Sequence, residues 1–312
     1  MSIYLGIDTS NYTTSVALYD CDTGIMHGKK LLLPVKKGEK GIRQSDAVFH
    51  HTVQLPQLIT ELFNENPCNI EGVGVSVKPC NEQGSYMPCF LAGVSVAKSV
   101  ANIMNIPLYE FSHQDGHIAA ALFSCGRLDL IDENFIGFHI SGGTSQAILV
   151  KPNGKYFSTG IISDSLDLKA GQAVDRVGVM LGLDFPCGAE LEKIAKEGGK
   201  PLKKVKIFRK DGFFSLSGVE NQCKLMLEQG ADPGDIANHC LSCIYSAIDD
   251  TAEELIKKYG DLPLVFSGGV MSNALIKNML CRKYNAHFAE PQFSADNACG
   301  TAVLASICDA RK

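Results

Sequence analysis

The stretch Phe135-Ile136-Gly137-Phe138-His139-Ile140-Ser141-Gly142-Gly143-Thr144-Ser145-Gln146-Ala147-Ile148-Leu149-Val150 decides the fold. Both ends are apolar runs of strand length, and the middle is a turn of glycines and hydroxyls, so the reading is strand, turn, returning strand. The same device stands at the N-terminus. There Ile3-Tyr4-Leu5-Gly6-Ile7 enters Asp8-Thr9-Ser10-Asn11-Tyr12-Thr13-Thr14, and the chain returns through Ser15-Val16-Ala17-Leu18-Tyr19. Two copies argue for an internally duplicated α/β fold, with two related lobes whose hairpin turns face a central cleft. A length of 312 residues is long for one core and agrees with two lobes. We set them at residues 1–133 and 134–312, with the final helix packing back toward the first.

Between the hairpins the pattern alternates strands and helices. A third strand is read from about residue 31, followed by a charged loop through Gly38–Gln44. A helix then carries Val53, Leu55, Leu58, Ile59 and Leu62, with His50 and His51 near its start as capping or surface residues. Gly72–Val77 reads as a buried strand, Phe90–Met104 as a small-residue helix, and Pro107–Phe111 as a short strand. After the second hairpin, Asp167–Leu183 has helical periodicity, with Ala173, Val174, Val177, Met180 and Leu181 on one face and Asp175 beside them. Short and long helices follow over 190–197, 220–229 and 234–258. Leu264-Val265-Phe266 is a strand entering Ser267-Gly268-Gly269-Val270-Met271-Ser272-Asn273 and a helix. A Gly-Gly between strand and helix leaves backbone N–H groups at a helix N-terminus, where a phosphate or nucleotide can approach.

The bulk numbers narrow the class. The composition is 45% hydrophobic and 20% charged, as in ordinary globular proteins, and the net charge of −5 argues against a general nucleic-acid binder. The 30 glycines cluster in turns. No signal-peptide pattern and no apolar run of membrane-spanning length is present, so a cytoplasmic protein with no membrane partner is expected. The 12 cysteines follow no repeating spacing and are read as reduced thiols, with Cys240 and Cys243 as buried helix cysteines.

Ser112-His113-Gln114-Asp115-Gly116-His117 opens an apolar run that reads as a helix. His113 and His117 are then one turn apart on one face, and two such imidazoles can hold one metal ion. Asp8, at the end of the first strand, is placed to hold a metal-bound water or act as a base. Asp296, in Ser294-Ala295-Asp296-Asn297-Ala298, is either a cap carboxylate of the last helix or a third ligand; two histidines and a carboxylate leave open positions on a metal, as a reactive site requires. Lys196, Lys200, Lys203, Lys204, Lys206, Arg209 and Lys210 form a local basic stretch, which suits a phosphate backbone or a solvated loop equally.

Taken together these motifs resemble the TsaD family of tRNA threonylcarbamoyl transferases, of the actin-like, sugar-kinase-like ATPase superfamily with two ribonuclease-H-like lobes. The resemblance runs from Gly6 to Ala305. It rests on His113-x-x-x-His117, Ser141-Gly142-Gly143, Gly171-Gln172-Ala173-Val174-Asp175-Arg176, Phe213-x-Ser215-x-Ser217-Gly218, Ser267–Asn273 and Asp296-Asn297-Ala298. It implies one divalent metal ion, iron or zinc, on His113, His117 and Asp296. It implies nucleotide and substrate contacts at Ile140, Ser141, Gly142, Gly143, Thr144, Asp175, Gly188 and Asn273, with Gly268 and Gly269 in the third turn. The implied chemistry moves a threonylcarbamoyl group from threonylcarbamoyl-adenylate to the exocyclic amine of the tRNA adenosine beside the anticodon, and AMP leaves. tRNA on the Lys196–Lys210 stretch and partner subunits are implied as well.

The chain departs from the family pattern at several of these places. The family's Glu-Thr-Ser-Cys-Asp-Glu-Thr is Asp8–Thr14 here, without the acidic pair. The histidine after Ser-Gly-Gly is Thr144, and the second residue of an Asp-Asp pair is Leu168. A Pro-Gly-Gly-Pro turn is Pro186-Cys187-Gly188-Ala189, and a Gly-Pro-Gly-Leu loop is Lys78-Pro79-Cys80-Asn81. A divergent member is therefore expected, with transfer to another acceptor or a non-catalytic partner subunit as the competing readings.

Overall fold

In the computed structural model, residues 2–10, 12–34, 42–198, 200–293 and 297–312 are described. They form two compact units, Met1–Asp132 with Pro152–Phe157 and Gln292–Lys312, and Glu133–Lys151 with Ser158–Pro291.

The first unit is built on a five-stranded sheet of order β3-β2-β1-β4-β5, from β1 (Ile3–Ser10), β2 (Thr13–Asp20), β3 (Ile25–Leu32), β4 (Gly72–Lys78) and β5 (Leu108–Ser112). β1, β2 and β3 run antiparallel, and β4 and β5 run parallel to β1. On one face Leu5, Ile7, Val16, Leu18, Val73 and Val75 pack with Leu55, Leu58 and Leu62 of α1 (Gln44–Glu65) and Ala97 and Ala101 of α2 (Phe90–Met104). The other face is flattened by Gly6 and Gly74, where a Cβ would strike the backbone of Ala298 and Thr301 in α9 (Ala298–Ala310). α3 (His113–Ser124) lies on α9 just as closely: a Cβ on Gly300 would run into the carbonyl of Gly116. Only glycine permits such helix contact, and it fixes the helix that carries both histidines.

The second unit repeats the plan. Its five-stranded sheet has the order β12-β11-β6-β7-β8, from β6 (Phe135–Ile140), β7 (Ser145–Pro152), β8 (Phe157–Asp164), β11 (Leu264–Ser267) and β12 (Ala286–Phe288). β6 and β7 are antiparallel, while β11 is parallel to both β6 and β12. Each sheet therefore starts from a central strand, turns back into an antiparallel neighbour and returns on the other side as parallel strands. That shared order is the duplication expected of two ribonuclease-H-like halves. Phe138, Phe266 and Phe288 stack across the sheet, with ring centroids 4.9 and 4.7 Å apart. Against this core lie α4 (Ala170–Met180), α5 (Gly188–Glu197), α6 (Ser217–Glu228), α7 (Pro233–Tyr259) and α8 (Ala274–Cys281); β9 (Arg209–Lys210) and β10 (Phe213–Phe214) form a small separate hairpin. Cys240 and Cys243 are buried free thiols in α7.

Three details differ from the sequence reading. The polar stretch Asp8–Thr14 is mostly ladder rather than turn, since pairing continues to Ser10 opposite Thr13. The third strand begins at Ile25, earlier than read. His51 is neither a cap nor a surface residue: α1 starts at Gln44, and His51 is fully buried with its Nδ1 2.8 Å from Thr14 Oγ1.

Candidate functional site

In the first unit, β5 delivers the chain to α3 through a well-formed cap. The Ser112 hydroxyl accepts from the Asp115 N–H at 3.1 Å, and the Asp115 carboxylate accepts from the Ser112 N–H at 3.0 Å. This capping box satisfies two otherwise orphaned donors and sets the direction of the helix. Asn81 adds bonds of 2.9 and 3.0 Å from its Nδ2 to Asp115, tying the Pro79–Pro88 loop to the same turn. Burial raises the Asp115 carboxyl above the usual range, and the Asn81 and Ser112 bonds only partly offset it.

On that helix His113 and His117 face one another, with ring centroids 4.7 Å apart and planes at 71°. His113 Nδ1 is 2.9 Å from Asp8 Oδ1, and Nε2 is 3.2 Å from Asn297 Nδ2. Asp8 is only 1% exposed. Burial would raise its pKa, but the adjacent His113 imidazole outweighs that and holds the carboxyl below its ordinary value. Asp8 Oδ2 and Asn297 Oδ1 are buried with no hydrogen-bond partner among the described residues. Two imidazoles one helical turn apart, with a carboxylate behind one of them and an orphaned amide oxygen beside it, are donors of the type a divalent cation takes, while among the described residues no third imidazole, thiol or carboxylate atom lies close enough to complete the set. Asp296, the remaining expected ligand, lies outside the described residues.

In the second unit, β6 ends at Ile140, which is buried, and hands the chain to Ser141–Thr144. Ser141 organises this turn. Its N–H bonds to the Thr144 carbonyl at 2.7 Å, and its hydroxyl accepts from the N–H of Thr144 at 3.1 Å and of Gly143 at 3.3 Å. α4 is pressed on from behind, because a Cβ on Gly171 would lie 2.6 Å from the Gly142 nitrogen. Gly268 has φ +96° and sits on the Ile140 backbone, so the Ser141–Thr144 turn and the Ser267–Asn273 turn touch. Gly142, Gly143 and Gly269 differ: nothing lies within 4 Å of where a Cβ would be. Glycines 171 and 268 thus serve packing, while 142, 143 and 269 leave backbone open to an incoming group.

Of these, Gly142 and Gly269 border a cavity of about 440 Å³, lined also by Asp175, Gly188 and Asn273 together with Val174, Pro186, Leu241 and Val270. Apolar walls with a few convergent polar groups suit a small organic ligand. Asp175 Oδ1 accepts from the Cys187 N–H at 2.9 Å and fixes the turn at Gly188. Asn273 caps α8, accepting from the Ile276 N–H at 3.0 Å, which leaves its side-chain N–H₂ to donate. Glu192 and Ser272 line the same cavity and were missed in the sequence. Glu192 reaches it from α5 and accepts from the Ala274 N–H at 3.2 Å; only its spacing of four after Gly188, one helical turn, could have drawn attention.

The basic stretch is largely paired. Lys196 pairs with Glu192, Lys200 with Asp235, Lys204 with Asp249, Asp250 and Glu253, and Arg209 with Glu254. Asp249, Asp250 and Glu253 lie close enough to hold a cation, and the Lys204 and Lys283 ammonium groups take that place. No helix among the described residues is long and apolar enough to cross a membrane.

Residues 33–303 match the family TsaD, tRNA N6-adenosine threonylcarbamoyltransferase. The proteins of that name from Carboxydothermus hydrogenoformans and Methylobacillus flagellatus are 28% and 26% identical to this chain, each over 95% of it and 89% of the relative. Among solved structures, full-length HypF in its phosphate- and nucleotide-bound form superposes with TM-score 0.57 at 16% identity, over 97% of this chain and 55% of that one. A ROK family glucokinase from Streptomyces griseus, in complex with glucose and AMPPNP, gives 0.55 at 11%, over 98% and 99%. The fold is thus that of the actin-like and sugar-kinase-like ATPases, and the chain belongs to the TsaD family of tRNA N6-adenosine threonylcarbamoyltransferases, which are transferase enzymes.

Proposed function

We propose that the protein transfers a threonylcarbamoyl group from threonylcarbamoyl-adenylate to the exocyclic amine of the tRNA adenosine beside the anticodon, in the cytoplasm and with partner subunits. The amine nitrogen forms a bond to the carbamoyl carbon, the bond from that carbon to the phosphate oxygen breaks, the amine gives up a proton and AMP leaves. The observation that carries the reading is the pair of open glycine turns beside the cavity of the second unit, in a chain of this family.

In this reading the backbone at Ser141–Thr144 and Gly269 receives the adenylate phosphate, and the absence of Cβ atoms lets it come close. The free Asp175 Oδ2 accepts from a ribose hydroxyl, the Asn273 amide donates, and Gly188 leaves room. Holding the adenylate rigidly turns an encounter into a positioned attack. His113, His117 and Asp296 hold one divalent ion, iron or zinc, which when bound polarises a carbonyl as a Lewis acid. Lys203, Lys206 and Lys210, which have no acidic partner among the described residues, are the members of the basic stretch most free to meet tRNA phosphates.

The test is to supply threonylcarbamoyl-adenylate and unmodified tRNA, with and without partner subunits, and to look for threonylcarbamoyladenosine in digested tRNA. Product that disappears in Asn273→Ala and His117→Ala variants supports the reading. No product under any condition sinks it. A second reading, the same donor with a different acceptor, is favoured by Leu168, a core residue where the family has a carboxylate, and by Thr144. Tight adenylate binding without tRNA binding would select it.

A further inference from the structure

We propose that Asp8 is a positioning residue: it fixes His113 as the Nδ1–H tautomer, leaving Nε2 as the atom that takes the metal, and Asn297 covers that atom until metal arrives. The inference rests on the metal site of the reading above. Two contacts, one on each ring nitrogen, bear on the tautomer. On one side of the ring, Nδ1 faces Asp8 Oδ1 at 2.9 Å, and an ionised carboxylate can only accept, so the ring proton is on Nδ1. On the other, Nε2 faces the Asn297 amide nitrogen at 3.2 Å, and an amide N–H can only donate, so Nε2 carries a lone pair. Both neighbours thus fit the same tautomer, with the proton on Nδ1.

Asp8 is suited to this by its surroundings. It stands on β1, in the middle of the sheet, and is almost wholly buried. A carboxylate there is shielded from solvent and spent on His113, so it orients the ligand rather than serving as a free base for substrate. A carboxylate behind a metal-binding imidazole also raises the basicity of the ligating nitrogen, and loss of such a partner lowers metal affinity by about 10–100-fold.

Asn297 supplies the other half. Its amide turns nitrogen toward His113 while its Oδ1 is left buried and unpaired among the described residues. An orphaned buried acceptor is unfavourable, and a cation beside it would remove the penalty. A half-turn of the amide exchanges Nδ2 for Oδ1, so the residue that covers Nε2 in the metal-free protein can also offer an oxygen to the ion. Asn297 is the N-cap of α9, packed on α3 through Gly116 and Gly300, so the cover is held at the histidines by the helix contact itself.

The experiment uses the full chain. Long-range ¹⁵N–¹H spectra of the metal-free protein report the tautomer of His113, and cobalt(II) and zinc(II) affinities are measured by chelator competition, with thermal melts as the folding control. The wild type is expected to show Nδ1–H on His113. Asp8→Asn, nearly isosteric, is expected to fold, to lose the single tautomer and to bind cobalt about 10–100-fold more weakly. Asn297→Ala is expected to keep the tautomer, shift the Nε2 resonance and bind cobalt with an affinity close to that of the wild type, because the cover and the amide oxygen are lost together. An Nε2–H ring in the wild type, or unchanged cobalt affinity in Asp8→Asn, overturns the proposal; so does an Asn297→Ala loss as large as that of Asp8→Asn. A wild type that shows the Nδ1–H ring but binds neither metal instead overturns the metal of the proposed function, together with any role for Nε2 as its ligand.

Discussion

In the first unit the central strand carries, two residues before its end, a carboxylate that is 1% exposed and held on a neighbouring imidazole; in the second, the equivalent strand ends at Ile140 and gives way to glycines with nothing within 4 Å of a would-be Cβ. The two sheets share one strand order, so topology did not choose between these ends. What differs is which helix comes to the strand ends. In the first unit α3 brings imidazoles, and the polar groups there are turned on one another. In the second, α4 brings Gly171, which lets the backbone approach and leaves the outer face of the turn open. One fold thus presents a closed polar cluster suited to an ion and an open cradle suited to a phosphate, which is how function comes to sit on a scaffold rather than in it.

The comparison is broken most directly at the glycines that hold helices close. Gly268→Ala in the second unit and Gly300→Ala in the first should each destabilise the protein by about 3 kcal/mol, since overpacking costs about 1–3 kcal/mol and the left-handed backbone of Gly268 adds about 1–2 kcal/mol. Urea unfolding measures both. Gly300→Ala should also weaken cobalt binding, because it moves α3 from α9, whereas Gly268→Ala should weaken adenylate binding. If each variant impaired both ligands equally, the division of labour between the units would be wrong.

Gly142→Ala sharpens the same point from the other side. Its Cβ meets nothing, so stability should stay within about 0.5 kcal/mol of wild type. Adenylate affinity should nevertheless fall about tenfold, the equivalent of about 1.4 kcal/mol of crowding against the ligand. Calorimetric titration with an adenylate analogue checks it, and unchanged affinity would show that the open turn is not the phosphate cradle. Asn273→Ala should be intermediate, at about 1 kcal/mol of stability from the lost helix cap, with adenylate affinity reduced as well.

Much of this was legible in the sequence, and particular residues show why the rest was not. The hairpins at Ile3–Tyr19 and Phe135–Val150 stood out because buried strands are continuous apolar runs broken by glycine and hydroxyl turns. The edge strands did not: β3 carries Gly28, Lys29 and Lys30, and β12 is only Ala286–Phe288, so neither has a clean period. His113 and His117 were found by helical spacing, a local signal. Asp8 was singled out as a base or the holder of a metal-bound water, not as a partner of His113, which lies 105 residues away and is brought to it only by the fold. His51 was misread for the same reason, since Thr14 is 37 residues distant. Nor could sequence sort the glycines: Gly268 and Gly269 are adjacent, yet one is packed on Ile140 and the other is open.

A second pair of carboxylates carries the comparison to its smallest effect. Asp8 is buried and bonded to one imidazole; Asp167 is exposed, and it gathers the Phe213-x-Ser215-x-Ser217-Gly218 motif by accepting from the Ser215 hydroxyl at 2.5 Å and the Leu216 and Ser217 N–H groups at 2.9 and 3.2 Å. Burial works against the charge on Asp167, but these hydroxyl and backbone donors outweigh it and bring its pKa to about 2. A carboxylate whose pKa is lower in the folded chain stabilises it fully above the unfolded value, near 4, and the contribution is lost as pH falls through the folded value. After allowance for solvent screening the effect is on the order of 1 kcal/mol. Asp167→Asn should therefore be less stable than wild type by about that amount at pH 7, and the gap should close between pH 4 and pH 2. Urea melts across this range decide it. A gap that persists at pH 2 would mean that the motif is held by shape rather than by the charge, and that the exposed carboxylate, unlike the buried one, does no electrostatic work.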